Sequence, residues 1–309
     1  MEDSHPVDNA HIFEVTQAES VSSKTALPGW SVATFAVCLL SITGPVAKHL
    51  SLDGLALSFH RFFWLALALS LVMAIRGKTI TLAALRWSWF PGLLFAINIA
   101  MFFTAVKLTT IANATIIGAI QPAMSLVLVG PILGERVYHS DRWLALLAMA
   151  GVVTVVYGSS TRPEWDFRGD LLSVGAILAW TVYLFATKNA RKHLDAIELQ
   201  TTLTLVAAAV ALPIALVSGQ DMGVSGSDWK FLALLALVGG AGHTLVNFAH
   251  SNTKLVLVSL MFLAVPILST AWAALFLGES LNVWQMAGMG IVLISLGTII
   301  YTMEHREGH

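Results

Sequence analysis

From about residue 30 to residue 302 the chain alternates long apolar stretches with short polar ones. The apolar stretches run 16 residues or more, too long for buried strands, and they lack the polar stripe of an amphipathic surface helix. A helix needs about 20 apolar residues to cross the hydrocarbon core at about 1.5 Å of rise each. Ten segments qualify, some of them with tilt: 30–48, 55–75, 87–106, 111–133, 143–158, 170–187, 197–217, 229–249, 255–277 and 283–302. RGK (76–78), ERVYHSDR (135–142), TRPEWDFRGD (161–170), KNARKHLD (188–195) and SGQDMGVSGSD (218–228) separate them. The pattern predicts an all-α membrane protein with ten transmembrane helices.

Composition supports that reading. Of the 309 residues 57% are hydrophobic and 11% charged, where an ordinary soluble domain carries roughly 25% charged. A net charge of −1 supplies no basic patch, so no nucleic-acid partner is expected. The single cysteine, Cys38, rules out an intrachain disulfide. All acidic residues fall in tails, loops or the first or last turn of a segment, and of the Lys and Arg residues Arg61 alone lies well inside one. With the N-terminus in the cytoplasm, eleven Lys and Arg fall on the inner side and five on the outer, which places both termini inside. Trp30, Trp87, Trp89, Trp143, Trp229 and Trp284 stand at segment ends, as an interfacial belt would. Residues 1–29 lack a signal-peptide apolar region and read as a disordered cytosolic tail.

One phrase is written twice. QPAMSLVLVGPILGE (121–135) and VPILSTAWAALFLGE (265–279) place Pro122 and Pro266, Gly134 and Gly278, and Glu135 and Glu279 each 144 positions apart. Thr109 and Thr253, and Thr115 and Ser259, share that offset. The phrases fall on the fourth and ninth segments, so five segments make one copy. An odd number inverts the second copy in the membrane, which is the construction of many secondary transporters. The expected layout is a first repeat over 30–160, a linker at 161–169, a second repeat over 170–303 and a tail at 304–309. Each proline removes a backbone donor, and the carbonyls of Gly118 and Phe262 are expected to be freed toward protein or a wet cavity. In the Gly-Glu endings, glycine stops one helix and the acid is expected near the N-terminus of the next.

These features resemble the EamA-type drug/metabolite transporters: two inverted five-helix repeats, each ending in proline, an apolar run and LGE. SFHRFFWLALAL (58–69), FFTAVKLTTIANA (102–114) and RGDLLSVGAILAWTVYLFATK (168–188) resemble the family's second helix, third-to-fourth junction and sixth helix. The resemblance implies an inner-membrane carrier with a cavity lined by helices 1, 3, 4, 6, 8 and 9; ten helices in one chain make a dimer unnecessary, so a working monomer is expected. It implies small-metabolite substrates without naming one.

Polar groups inside membrane segments are expensive, so each is a candidate for function. Asn98 and Phe102 share a face of the third helix, Gln121 and Ser125 one of the fourth, Trp180 and Tyr183 one of the sixth, and His243 and Asn247 one of the eighth. Together they are expected to bind a small substrate, and singly each has the plain reading of an interhelical hydrogen bond or core aromatic. Arg61, roughly 9 Å along its helix at 1.5 Å per residue, can snorkel to the interface; a structural or gating role, with the Pro122 and Pro266 kinks, is favoured over binding. No Asp or Glu occupies a segment interior, which disfavours proton-coupled export of organic cations. Gly118, Gly151, Gly288 and Gly297 are expected at close helix contacts.

A membrane channel or a ligand sensor is the alternative class, but a channel needs a ring of like groups around an open pore that an inverted repeat does not supply. GVSG (223–226) matches an intramembrane serine protease motif, but Ser225 lies in a polar loop where turn formation explains it better. HExxH, the P-loop and a Rossmann glycine cluster do not occur in the sequence, so no enzyme activity, metal or cofactor is expected.

Overall fold

The structure is a computed structural model that describes residues 28–109, 111–159, 166–277 and 280–307. Ten spans stand where the apolar stretches predict them, and the described residues contain no strand. The first repeat comprises α1 (Gly29–His49), α2 (Gly54–Ile75), α3 (Leu82–Leu108), a span in two pieces, α4 (Ile111–Gly118) and α5 (Gln121–Leu133), and α6 (His139–Tyr157). The second comprises α7 (Phe167–Ala190), α8 (Ala196–Val217), α9 (Asp228–Asn252), the pieces α10 (Leu255–Met261) and α11 (Ala264–Leu277), and α12 (Val283–Glu307). Large apolar side chains such as Leu82, Val217 and Ile75 point outward, as lipid-facing residues do.

The repeats interlock. The first helix of each packs along the third helix of the other, α1 on α9 and α7 on α3. The same exchange relates their starting glycines: a Cβ on Gly29 would meet Thr253 Cβ at 2.8 Å, and one on Gly169 would meet Thr109 Cβ at 2.7 Å. Thr109 and Thr253 are one of the pairs that share the 144-residue offset. Farther along, Asn98 donates to the Ala176 carbonyl at 2.8 Å, while Gly242 packs where its Cβ would lie 3.3 Å from the Ala36 carbonyl oxygen.

At the contact of α6 and α12, a Cβ on Gly288 would lie 2.6 Å from the Gly151 carbonyl, so neither position admits a side chain without a shift. The other two glycines expected at close contacts are not there: Gly118 and Gly297 have open space where a Cβ would project. Trp87, Trp89, Trp143, Trp229 and Trp284 are exposed at helix ends, whereas Trp30 packs against the core.

Gly134 ends α5 in the left-handed conformation, φ 69°, with its amide on the Gly130 carbonyl, as a helix-stopping glycine should. Glu135 does not serve the helix that follows. Its carboxylate accepts from the Leu255 amide at 2.9 Å and the Val256 amide at 3.3 Å, capping α10 of the other repeat. The reason is local: α10 has no side-chain cap of its own, and its first amides would be orphaned. Asp141 instead serves α6, accepting from the Tyr138 amide. Gly278 and Glu279 lie outside the described residues, as do residues 1–27 of the expected tail and 161–165 of the expected linker.

Candidate functional site

Both copies of the repeated phrase break a helix, and the breaks face each other. In the first, Ile120 turns back to the Ile117 carbonyl at 3.0 Å before α5 starts with Pro122 in its first turn. In the second, Leu263 and Val265 donate to Leu260 and Phe262 at 3.0 Å, tightening the chain into three-residue turns ahead of Pro266. The Phe262 carbonyl, expected to be freed by Pro266, is therefore taken up by the Val265 amide. Across the breaks, Ser259 donates to the Gln121 side-chain oxygen at 3.1 Å and Gln121 donates to Ser125 at 2.8 Å. All three are buried, so the seam joins the two broken spans through side chains.

Beside this seam stands an aromatic cluster. The Trp180 and Tyr183 rings stack at 4.8 Å, and Phe262, from the second break, stands edge-on to Trp180 at 5.2 Å. His243 is edge-on to Trp180 at 5.6 Å and to Phe95 at 4.7 Å, and Phe95 stacks on Tyr183 at 5.1 Å. The structure thus brings Trp180, Tyr183 and His243 together, with Gln121 and Ser125 on the neighbouring seam. Asn247 is one turn from His243 on α9 and donates to Gln200 at 2.8 Å. His243 Nδ1 is buried with no hydrogen-bond partner among the described residues, and the buried Tyr183 hydroxyl neighbours the Asn247 side chain.

Two expected members stand apart. Asn98 is engaged at the α3–α7 contact, and Phe102 is 37% exposed. α3 turns Phe95, Ile99 and Phe103 inward, and buries Asn98 against α7 while Phe102 stays exposed. Arg61 does not take the route to the interface. It is 3% exposed, with its guanidinium 5.8 Å from the Phe103 ring centre and against Gly239.

Several residues escape the sequence reading. Phe95 and Phe262 carry no polar signal. Gln200 is fully buried on α8, which is the seventh span and so outside the spans expected to line a cavity. His250 lies just past the expected end of its segment, buried, with both ring nitrogens unpartnered among the described residues. His250, Lys188, Arg191, Lys192 and Lys254 line a cavity of about 560 Å³ where α7 and α9 end. Glu135 meets Lys188 there at 2.9 Å. The Ser225 hydroxyl is exposed and shares a hydrogen bond with Ser227, whereas His243 is buried in the aromatic cluster.

Two inverted five-helix repeats, each with a broken fourth span at the centre, define a carrier-type membrane protein. The chain belongs to the EamA-like transporter family, whose model matches residues 27–157 and again 167–302. It is therefore a multi-pass membrane transporter. The Pseudopaline exporter CntI of Pseudomonas aeruginosa is 22% identical over 273 residues, covering 86% of this chain and 94% of that one. The uncharacterized transporter YwfM of Bacillus subtilis is 24% identical over 235 residues, 72% of this chain and 76% of that one. A solved crystal structure shares the fold, with a TM-score of 0.76 at 18% identity, over 90% of this chain and 98% of that one.

Proposed function

We propose that this chain is a secondary transporter that exports small metabolites, amino acids or related compounds among them. Alternating access moves them past a central site between the repeats. The observation that carries the reading is the Gln121–Ser259 bond, which joins two broken spans of opposite orientation beside Trp180, Tyr183 and His243. Broken helices present polar backbone and small hydroxyls at mid-membrane, and rocking of one repeat on the other changes which side they face. The outward direction rests on the likeness to an exporter. The protein sits in the inner (plasma) membrane with both termini in the cytoplasm, since the Lys and Arg surplus lies on that side. It works as a monomer, without cofactor or nucleic-acid partner, and is not an enzyme.

The test is exchange in proteoliposomes. Purified protein should give saturable uptake of a labelled metabolite that is accelerated by unlabelled metabolite on the far side. Flux that rises linearly with concentration and ignores the far side would mean a channel. A ligand sensor would bind without flux.

A further inference from the structure

A guanidinium keeps its charge at physiological pH and offers five donors, so within hydrocarbon it requires an anion, several acceptors or water. Arg61 Nη2 lies 2.8 Å from where a Cβ on Gly239 would sit. Gly239 is the twelfth of the 25 residues of α9, so the charge rests against the middle of a spanning helix, out of reach of either interface. Among the described residues no carboxylate forms an ion pair with Arg61. Its charge makes a weak contact over the Phe103 ring, 5.8 Å from the ring centre. One turn along α9 from Gly239 comes His243, and Tyr183 stands across the Phe95 ring from it. Tyr183 Oη, which neighbours the Asn247 side chain, and His243 Nδ1, which has no partner among the described residues, can each donate a hydrogen bond, which suits an anion beside a guanidinium.

We propose that Arg61 is the counter-ion of the transported molecule, and hence that this molecule carries a carboxylate. Arg61 seats the carboxylate at mid-membrane with Tyr183 and His243 as further donors, and the Trp180 face covers the rest of the molecule. The inference rests on the transporter reading above and goes beyond it by naming the charge of the substrate. A second observation points the same way. His250 lies about 16 Å farther along α9 at 1.5 Å per residue. The cavity there is lined by Lys188, Arg191 and Lys192, with Glu135 on Lys188 and the Asp195–Lys78 pair nearby. Cationic side chains such as Arg191 and Lys192 at this mouth attract anions on the cytoplasmic side from which an exporter loads.

The experiment uses the purified full chain and matched probes: amino acids and hydroxy acids, each beside its carboxamide. At least one free acid should raise the melting temperature while its amide does not. Arg61→Gln should raise the half-effective concentration of that acid roughly 10- to 100-fold, the loss expected of one charge-assisted hydrogen-bonding group. Arg61→Lys should retain part of the effect. Gly239→Ala keeps the charge but crowds the guanidinium, and should weaken acid binding even if Arg61→Gln does not fold. Acids and amides acting alike, no probe acting, or an acid shift that survives Arg61→Gln and Gly239→Ala would each overturn the assignment. Saturable exchange of neutral metabolites that is indifferent to Arg61→Gln would do so while leaving the carrier intact. Unsaturable leak of every probe would remove the carrier reading itself.

Discussion

The Glu135 carboxylate lies 2.9 Å from the Lys188 ammonium while it accepts the Leu255 amide at 2.9 Å. Glu135 closes the broken span of the first repeat; Lys188 ends α7 of the second and also donates to the Thr253 carbonyl at 2.7 Å. One acid thus ties two elements of the second repeat, α7 and α10, to the first, at the end where the basic cavity lies. Under alternating access this tie must part whenever that end opens. Both side chains are largely buried, so removing the acid leaves a cation without its partner beside Arg191 and His250. Glu135→Ala should lower stability by about 3 kcal/mol. The reversal Glu135→Lys with Lys188→Glu should recover only part, since a lysine cannot cap α10. Unfolding curves for the singles and the double give the coupling; strictly additive losses would show that the pair is incidental.

Pro122 and Pro266 set the two breaks through the donors they lack. Pro122→Ala or Pro266→Ala should let each span run straighter and pull the Gln121–Ser259 seam apart. The expected result is near-normal amounts of protein in the membrane and turnover reduced by an order of magnitude or so, about 1.4 kcal/mol in the barrier. Initial exchange rates divided by the amount of inserted protein report it. Normal rates in both variants would remove the broken spans from the mechanism.

Asp195 begins α8 by accepting from the amides of Ile197 and Glu198, each at 2.9 Å, and pairs with Lys78 across the membrane surface. Burial pushes its carboxyl up, but the Glu198 amide and Lys78 outweigh burial and hold it below its ordinary value of 3.8. A depressed acid adds stability that is complete above its unfolded value and fades as pH falls through the folded one. The cap should therefore hold above about pH 4 and be lost below it. Asp195→Ala should cost about 1 kcal/mol at neutral pH, less than its bonds suggest because solvent screens the pair, and almost nothing at pH 2. Melting temperatures of wild type and variant across that range should converge as the acid protonates.

The ten spans are legible because a bilayer imposes a length and an apolarity that the chain must show openly. The inversion is legible because Pro122 and Pro266 repeat at a fixed offset across an odd number of spans. Facing is not. These helices are apolar all round, so Asn98 marks one buried face of α3 but not the Phe95–Ile99–Phe103 face beside it, nor the exposure of Phe102. Glu135 shows the same limit from another side. The physics that draws an acid to a helix start is correct, but the helix that needs it lies 120 residues away. Arg61 reads as a snorkelling residue from its depth alone, and only its contact with Gly239 shows that it turns to the middle of α9.

Gln200 is the clearest test of what the polar groups around the cluster do. It donates to Thr204 at 3.0 Å and accepts from Asn247 at 2.8 Å, fully buried. Asn247 is one turn from His243, so Gln200 fixes an amide that is turned to the Tyr183 hydroxyl in the aromatic cluster. Gln200→Ala removes the anchor without touching the cluster. If Asn247 is only interhelical glue, the variant should lose about 0.6 kcal/mol, as such bonds do in membranes, with exchange unchanged. The arrangement instead predicts a similar small loss of stability together with a rise in the half-saturating concentration, roughly 3- to 10-fold, as Asn247 loses its orientation. Asn247→Ala should show the same rise, and the double variant should show little more than either single. Two independent, additive effects would place Gln200 and Asn247 in separate roles.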